Sequence, residues 1–261
     1  MQNAFSCLFF IQISGKIQKS LSKNKDLNAN QWQFTLVSRK SNKNRNACET
    51  KMEAAVEIEL KYTIPDKNTA EIIWKDLDLL KMEETDSRES LTFKAAYFDT
   101  SDKMLSQNDI AFRVRIEGSR AIASLKWNGK TDGALHTREE INVPIDGEAC
   151  LMNPNVTLFK ESDIGIKLIE LVGDKPLVNV MESGFLRRRL RVDTENSIIE
   201  VSIDVGEITT DSGSVPICEL ELELFSGNQE DLLKLGNKLA ERYSLVPEVR
   251  SKYARGLMLS E

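Results

Sequence analysis

The chain reads as an α+β protein that is mainly β, with eight strands in hairpin order and few helices between them. Two observations carry this. Segments that alternate apolar and polar residues recur between residues 56 and 227, the period-2 signature of strands with one buried face. Helical periodicity is confined to 66–80, 161–173 and two C-terminal segments, so most strands follow one another directly. That arrangement predicts an antiparallel sheet or a closed barrel.

The elements follow in order. VEIELKYTI (56–64) alternates strictly and Pro65 stops it. A helix is expected over 66–80, with Ile72, Ile73, Leu77 and Leu80 on one stripe and Asp66 as its cap. Strands are expected at 91–99, 111–118, 120–129 and 137–145, with Gly118-Ser119 as a tight connection between two of them. Residues 161–173 read as a helix ending at Gly173. Strands at 184–193, 197–208 and 216–227 come next, and helices near 229–243 and 248–258 close the chain. No repeat of fixed period is visible.

Composition narrows the class. Of 261 residues, 41% are hydrophobic, enough for a core, which excludes a chain disordered throughout. No apolar run reaches the ~18–20 residues of a membrane span. Cys7, Cys48, Cys150 and Cys218 lie far apart without a CxxC spacing, which argues against a zinc site or a disulfide framework and favours a reducing, cytoplasmic setting. The single His136 argues against histidine-based metal chemistry and reads as a surface or hairpin residue. Cys218, Trp74 and Trp127 read as core or packing residues.

The net charge of -6 conceals a split, because residues 1–51 hold nine Lys/Arg against two Asp/Glu. This Asn-, Ser- and Lys-rich stretch has no sustained period. Three readings stay open: an organellar transit peptide, a disordered arm for an anionic partner, or a leader that is not made because translation starts at Met52. The domain is expected over 52–261.

The strand faces carry the chemistry, since residues two apart share a face. Glu57, Glu59 and Lys61 line one face of the first strand, and Glu219, Glu221 and Glu223 one face of the last. Arg113 and Arg115 share a face, as do Arg187, Arg189 and Arg191, and Glu200, Ser202 and Asp204. Lys126 alternates with Leu125 and Trp127, and Arg138 and Glu140 with Glu139 and Ile141. An ordinary sheet with a wet outer face accounts for any one strand. It strains across all of them, because rows of like charge repel unless counterions sit among them. A ligand of both signs fits: a phosphate chain gripped by Arg and Lys, with divalent metal held by carboxylates.

These segments resemble the CYTH superfamily, the triphosphate tunnel metalloenzymes. EIELK (57–61) matches the family's ExExK signature, and the likeness continues in family order. It runs through AYFDT (96–100), FRVR (112–115), SLKWNGKTDGALHTREEINV (124–143), GFLRRR (184–189) and IEVSIDVGE (199–207) to PICELELELFSG (216–227) and SKYARG (251–256). It covers roughly residues 53–260 and lies nearest the bacterial inorganic triphosphatases, several of which carry a following CHAD domain that is not expected here.

The resemblance implies an eight-stranded antiparallel closed barrel, helices packed outside, and a C-terminal helix reaching into a tunnel that binds triphosphate. Residue by residue it implies that Glu57 and Glu59 bind metal, with Lys61 beside them. Arg113, Arg115, Lys126, Arg138, Arg187 and Arg189 would grip phosphates. Glu140, Asp204, Glu219 and Glu221 would bind metal or orient water. Glu223 shares their face, and which two of Glu219, Glu221 and Glu223 reach metal stays open. Lys252 would point into the tunnel from the C-terminal helix, with Arg255 on the same helical face.

The implied activity is release of orthophosphate from inorganic triphosphate with magnesium or manganese, two ions in all, and without a covalent intermediate. Hydrolysis of thiamine, nucleoside or RNA 5′-triphosphates, adenylate cyclisation, and a non-catalytic polyphosphate- or nucleotide-binding module remain alternatives. No aromatic cluster that would stack on a base is visible. The expected partner is a small-molecule triphosphate rather than DNA, and the expected state a monomer or homodimer.

Overall fold

The alternation in the first strand sets the architecture. In β1 (Ala55–Thr63), Leu60 and Tyr62 are buried against one side of the sheet, while Glu57, Glu59 and Lys61 face the other side and line a cavity. The computed structural model describes residues 52–145 and 154–260; the leader expected over 1–51, with Cys7 and Cys48, and Cys150 lie outside them.

Eight strands form the wall: β1, β2 (Glu89–Thr100), β3 (Ala111–Glu117), β4 (Arg120–Asp132), β5 (Leu135–Ile145), β6 (Leu177–Asp193), β7 (Ile198–Thr210) and β8 (Gly213–Ser226). Their order is β5-β4-β3-β2-β6-β7-β8-β1, and an antiparallel β1–β5 pairing closes the ring. Every pairing is antiparallel. The expected closed barrel is therefore present, and closure leaves no long exposed edge. A ninth strand, β9 (Val246–Pro247), adds two residues beside β1. The Gly118-Ser119 connection joins β3 to β4, with Gly118 at φ 57°, a conformation that costs glycine little.

Two of the three apolar clusters lie outside the barrel, and the third, with Phe93, Ala95, Tyr97 and Phe185, reaches the cavity side of the wall. Leu60, Tyr62, Val201, Ile203, Leu220 and Leu222 pack beneath α1 (Lys67–Trp74), α2 (Leu77–Met82) and α4 (Gln229–Tyr243). Phe112, Val114, Leu125, Trp127 and Ile141 pack beneath α3 (Asp163–Val172) and the short helical turn Val156–Phe159. Each such Leu or Ile, fully buried, stabilises by about 1.5–3 kcal/mol. The two layers together offset an interior built of charge. A structural domain with its ionic faces turned to solvent is excluded by this arrangement. Among the described residues, no helix is long and apolar enough to cross a membrane.

Three element readings need correction. The helix expected over 66–80 is two helices, because Asp76 caps the second by accepting from the Asp78 and Leu79 amides at 2.7 and 3.0 Å. The break rotates the apolar stripe, so Ala70, Ile73 and Leu79 are buried while Ile72 and Leu77 are 58% and 70% exposed. Strand β6 begins at Leu177 rather than 184, since pairing with β2 continues through Ser183-Gly184 to the Thr100–Leu177 pair. The last helix, α5 (Lys252–Leu259), starts four residues later than expected, with Ser251 as cap; before it, Val246–Pro247 pairs with β1 and the Glu248 amide donates to the Lys61 carbonyl at 3.0 Å.

Helix α5 packs against β6, β7 and β8. A Cβ on Gly256 would collide with the Met181 sulfur and Ile208, so glycine here lets the helix settle on the barrel and carry Lys252 inward.

Candidate active site

The register of the strands assembles the site. Directly paired residues share a face, and Lys61–Glu221, Glu59–Glu223, Glu57–Arg138, Lys126–Glu140, Arg187–Asp204 and Asp204–Glu219 are all cross-strand partners. Together with Arg113, Arg115 and Arg189 they surround a cavity of about 180 Å³ inside the barrel. Eight basic and seven acidic side chains line it.

Of the residues singled out as candidate ligands of phosphate or metal, all but Asp204, Glu219 and Arg255 line this cavity, and Arg191, on the strand face of Arg187 and Arg189, does not. Asp204, Glu219 and Arg255 sit at its base around Lys252 rather than on its lining. The Lys252 ammonium lies 2.7 Å from an Asp204 oxygen and 3.0 Å from a Glu221 oxygen, and it also contacts Glu219. Arg255 donates to Glu219 at 3.2 Å. Lys61 bridges Glu59 at 2.8 Å and Glu221 at 2.5 Å. Arg187 reaches Asp204 through two nitrogens at 2.7 and 2.6 Å and Glu221 at 2.5 Å. Lys126 donates to Glu57 and approaches Glu140 at 3.3 Å, and Arg138 spans Glu57 and Glu59.

These pairs set the protonation states. Burial pushes the Glu221 carboxyl up, but the Lys252, Lys61 and Arg187 charges overcome it and hold it well below the ordinary range. Glu57 is likewise lowered, with Lys126 as the chief opposing charge. Glu223 goes the other way: burial, then Glu57, Glu200 and Glu59, push it up to about 8. One end of the acidic row is thus saturated with cations and the other is short of them.

A hard divalent ion fits this donor set. Asp204, Glu219 and Glu221 each offer an oxygen within 4.8 Å of the others, and all three are buried. The Lys252 ammonium marks the point on which they converge, a cation already held where carboxylate oxygens would ligate an ion.

Sequence reasoning misses several neighbours. Glu117 pairs with Arg115 at 2.5 Å, and Glu89 and Glu200 pair with Arg189. Glu200 carries a signal, sharing a face with Asp204. Phe93, Phe185, Tyr97 and Tyr253 also line the cavity; Phe93 stacks on Phe185 and Tyr97 on Tyr253. They meet only through the fold. His136, expected at a surface or hairpin, is 3% exposed in β5. Its Nε2 lies 2.8 Å from the Glu248 carbonyl, because the segment before α5 covers it. Trp127 is buried as expected, and Trp74 packs against the outer core beneath the Arg88 and Arg188 guanidiniums.

Comparison with known proteins agrees with this architecture. An inorganic triphosphatase of Haemophilus influenzae is 30% identical over 163 residues, 62% of this chain and 44% of its own length, so this chain matches less than half of that relative. A Hippeastrum adenylyl cyclase candidate described by a dominant triphosphatase activity superposes with a TM-score of 0.56 at 20% identity, over 77% of this chain and 95% of its own. A Bacillus halodurans adenylate cyclase candidate gives 0.50 at 18% identity, over 77% and 96%. At these identities the two structures speak to the fold. The CYTH domain model matches residues 55–257, and the chain is a member of the CYTH family.

Proposed function

We propose that the chain is a metal-dependent hydrolase that releases orthophosphate from inorganic triphosphate bound inside the barrel. The observation that carries this is the near balance of basic and acidic groups around the cavity, eight Lys and Arg against seven Glu side chains. A cavity for a bare polyanion needs an excess of positive charge. A balanced one suits a polyanion that arrives with divalent cations.

In this reading, Arg113, Arg115, Lys126, Arg138, Arg187 and Arg189 exchange carboxylate partners for phosphate oxygens. Arg is suited to this because its planar fork matches a phosphate as it matches a carboxylate. Glu57, Glu59, Asp204, Glu219 and Glu221, with Glu223 at the edge of the row, are the carboxylates released to hold metal. Bound magnesium or manganese, as one ion or two, supplies neutralisation of the leaving diphosphate and a more acidic bound water. Glu140 and Asp204 orient the attacking water by accepting its hydrogen bonds. Lys61 and Lys252 place positive charge where it develops on phosphate oxygens, a preorganised stabilisation of the transition state. No enzyme nucleophile is required.

Phosphate release from inorganic triphosphate, ATP, thiamine triphosphate and diphosphate, each with magnesium and with manganese, tests the reading. Inorganic triphosphate is expected to turn over fastest and diphosphate not at all. Absence of turnover on all four with both metals would overturn the enzyme assignment, and preference for an organic triphosphate would overturn the substrate.

A further inference from the structure

The cavity wall is mostly ionic, and its two phenylalanines lie where β2 meets β6. There Phe93 and Phe185 are cross-strand partners, 3% and 8% exposed. Their rings stack with centroids 5.3 Å apart and planes at 14°. Two site cations lie over these rings. The Arg187 guanidinium carbon is 5.1 Å from the Phe93 centroid and 5.6 Å from that of Phe185. The Lys252 ammonium is 4.9 Å from the Phe185 centroid.

We infer that the Phe93–Phe185 pair is a cation–π platform that positions Arg187 and Lys252 over the Asp204–Glu221 carboxylates, with Phe185 as the positioning residue. The relevance to turnover rests on the hydrolytic reading above; the positioning itself does not.

Charge makes the platform necessary. Arg187 and Lys252 converge on the same two carboxylates, at 2.6 and 2.7 Å from Asp204 and 2.5 and 3.0 Å from Glu221. Two like charges at such range repel, and the shared anions offset that repulsion. Those anions are the groups that must change partners when metal or phosphate binds. The negative face of a buried aromatic ring attracts both cations without competing for a hard metal ion. It therefore holds them in place while the carboxylates turn over. The strands approach closely beneath this residue: Gly206 is the β7 partner of Phe185, and a Cβ there would strike the Phe185 Cα and Cβ and the Gly184 carbonyl.

The test compares the full chain with F185L and F185Y. Leucine keeps an apolar side chain of somewhat smaller volume and loses the ring face; tyrosine keeps both volume and ring. On inorganic triphosphate with magnesium, F185L is expected to lose roughly 10- to 30-fold in kcat/KM, and F185Y to stay within about threefold of the parent. Equal activity of F185L and the parent, or equal loss in F185L and F185Y, overturns the platform. A readout independent of turnover is the Lys252 ε-methylene resonance in protein carrying ¹³C-labelled lysine, assigned by its disappearance in K252R. It should be shifted upfield by the ring current in the parent and in F185Y, and lose that shift in F185L. Absence of the upfield shift in the parent overturns the inference even if F185L fails to fold. An upfield Lys252 signal in a parent that turns over no triphosphate supports the platform and overturns the hydrolytic reading alone.

Discussion

Lys252 donates to Asp204 at 2.7 Å across 48 residues of sequence, from the first turn of the last helix into the interior of the barrel. The same ammonium touches Glu219 and Glu221. Burial works against this charge, but the three carboxylates outweigh it and raise its pKa far above the ordinary lysine value. A lysine held so firmly is a built-in counterion for a set of carboxylates able to hold metal.

On the proposed reading, ammonium and metal ion compete for the same oxygens. K252M is expected to bind manganese at least tenfold more tightly than the parent by calorimetry, while losing most turnover. In chelator the variant should also melt earlier, since three buried carboxylates lose a partner and breaking a buried pair costs about 3–5 kcal/mol. Added manganese should restore the melting temperature. Unchanged manganese affinity would show that Lys252 and metal do not share the three carboxylates.

Glu59 sits where two cations meet, accepting from Lys61 at 2.8 Å and Arg138 at 2.9 Å while almost fully buried. E59Q keeps the shape and removes the charge. Turnover of inorganic triphosphate should fall by roughly a hundredfold or more, on the scale of losing one preorganised electrostatic contact. Circular dichroism should stay unchanged. Near-parental kcat at saturating metal would remove Glu59 from the metal-binding role.

Much of this site is legible in the sequence because its charges sit at period 2. EIELK and ELELEL each declare one ionic and one apolar face before any partner strand is known. What alternation does not reveal is which face is inside. The β1–β5 pairing that closes the barrel joins residues about 80 positions apart, and only the family resemblance points to it. The aromatic platform is hidden for the same reason, since Phe93 and Phe185 lie 92 residues apart and become neighbours through β2–β6 register. His136 misleads because its burial comes from Glu248, 112 residues downstream. The helix over 66–80 misleads differently: its apolar spacing is continuous, but Asp76 offers its carboxylate to the backbone and ends one helix to begin another.

Asp76 gives a prediction about acid stability. Its carboxylate caps α2 and also accepts from Arg242 at 2.6 Å and from Tyr243. Burial raises its pKa, but the Tyr243, Leu79 and Arg242 hydrogen bonds outweigh it, leaving it below the ordinary value of 3.8. A depressed folded-state pKa means stability that is full above the unfolded value and lost as pH falls through the folded one. D76A should therefore cost about 2–4 kcal/mol near pH 7, combining a lost cap with lost charge-assisted bonds. In urea titrations the gap from the parent should narrow once the pH falls below about 4. A gap independent of pH would show that the carboxylate charge contributes nothing.

His136 offers a last prediction about how α5 is aimed. Because the Glu248 carbonyl can only accept, the His136 Nε2 must carry the proton, which leaves Nδ1 to accept from the Thr131 hydroxyl at 3.3 Å. Glu248 is further tied by its amide to the Lys61 carbonyl and by its carboxylate to the Arg250 amide. The segment leading to Lys252 is thus pinned to β1 and β5 four residues before the ammonium that enters the cavity. H136A leaves a buried carbonyl without its donor, costing about 1–3 kcal/mol, and should raise amide hydrogen exchange over residues 248–254 more than in β6 or β7. If α5 aims Lys252 as proposed, kcat for triphosphate should fall severalfold in parallel. Faster exchange spread evenly over the barrel would instead mean that His136 serves general stability and not the placement of the helix.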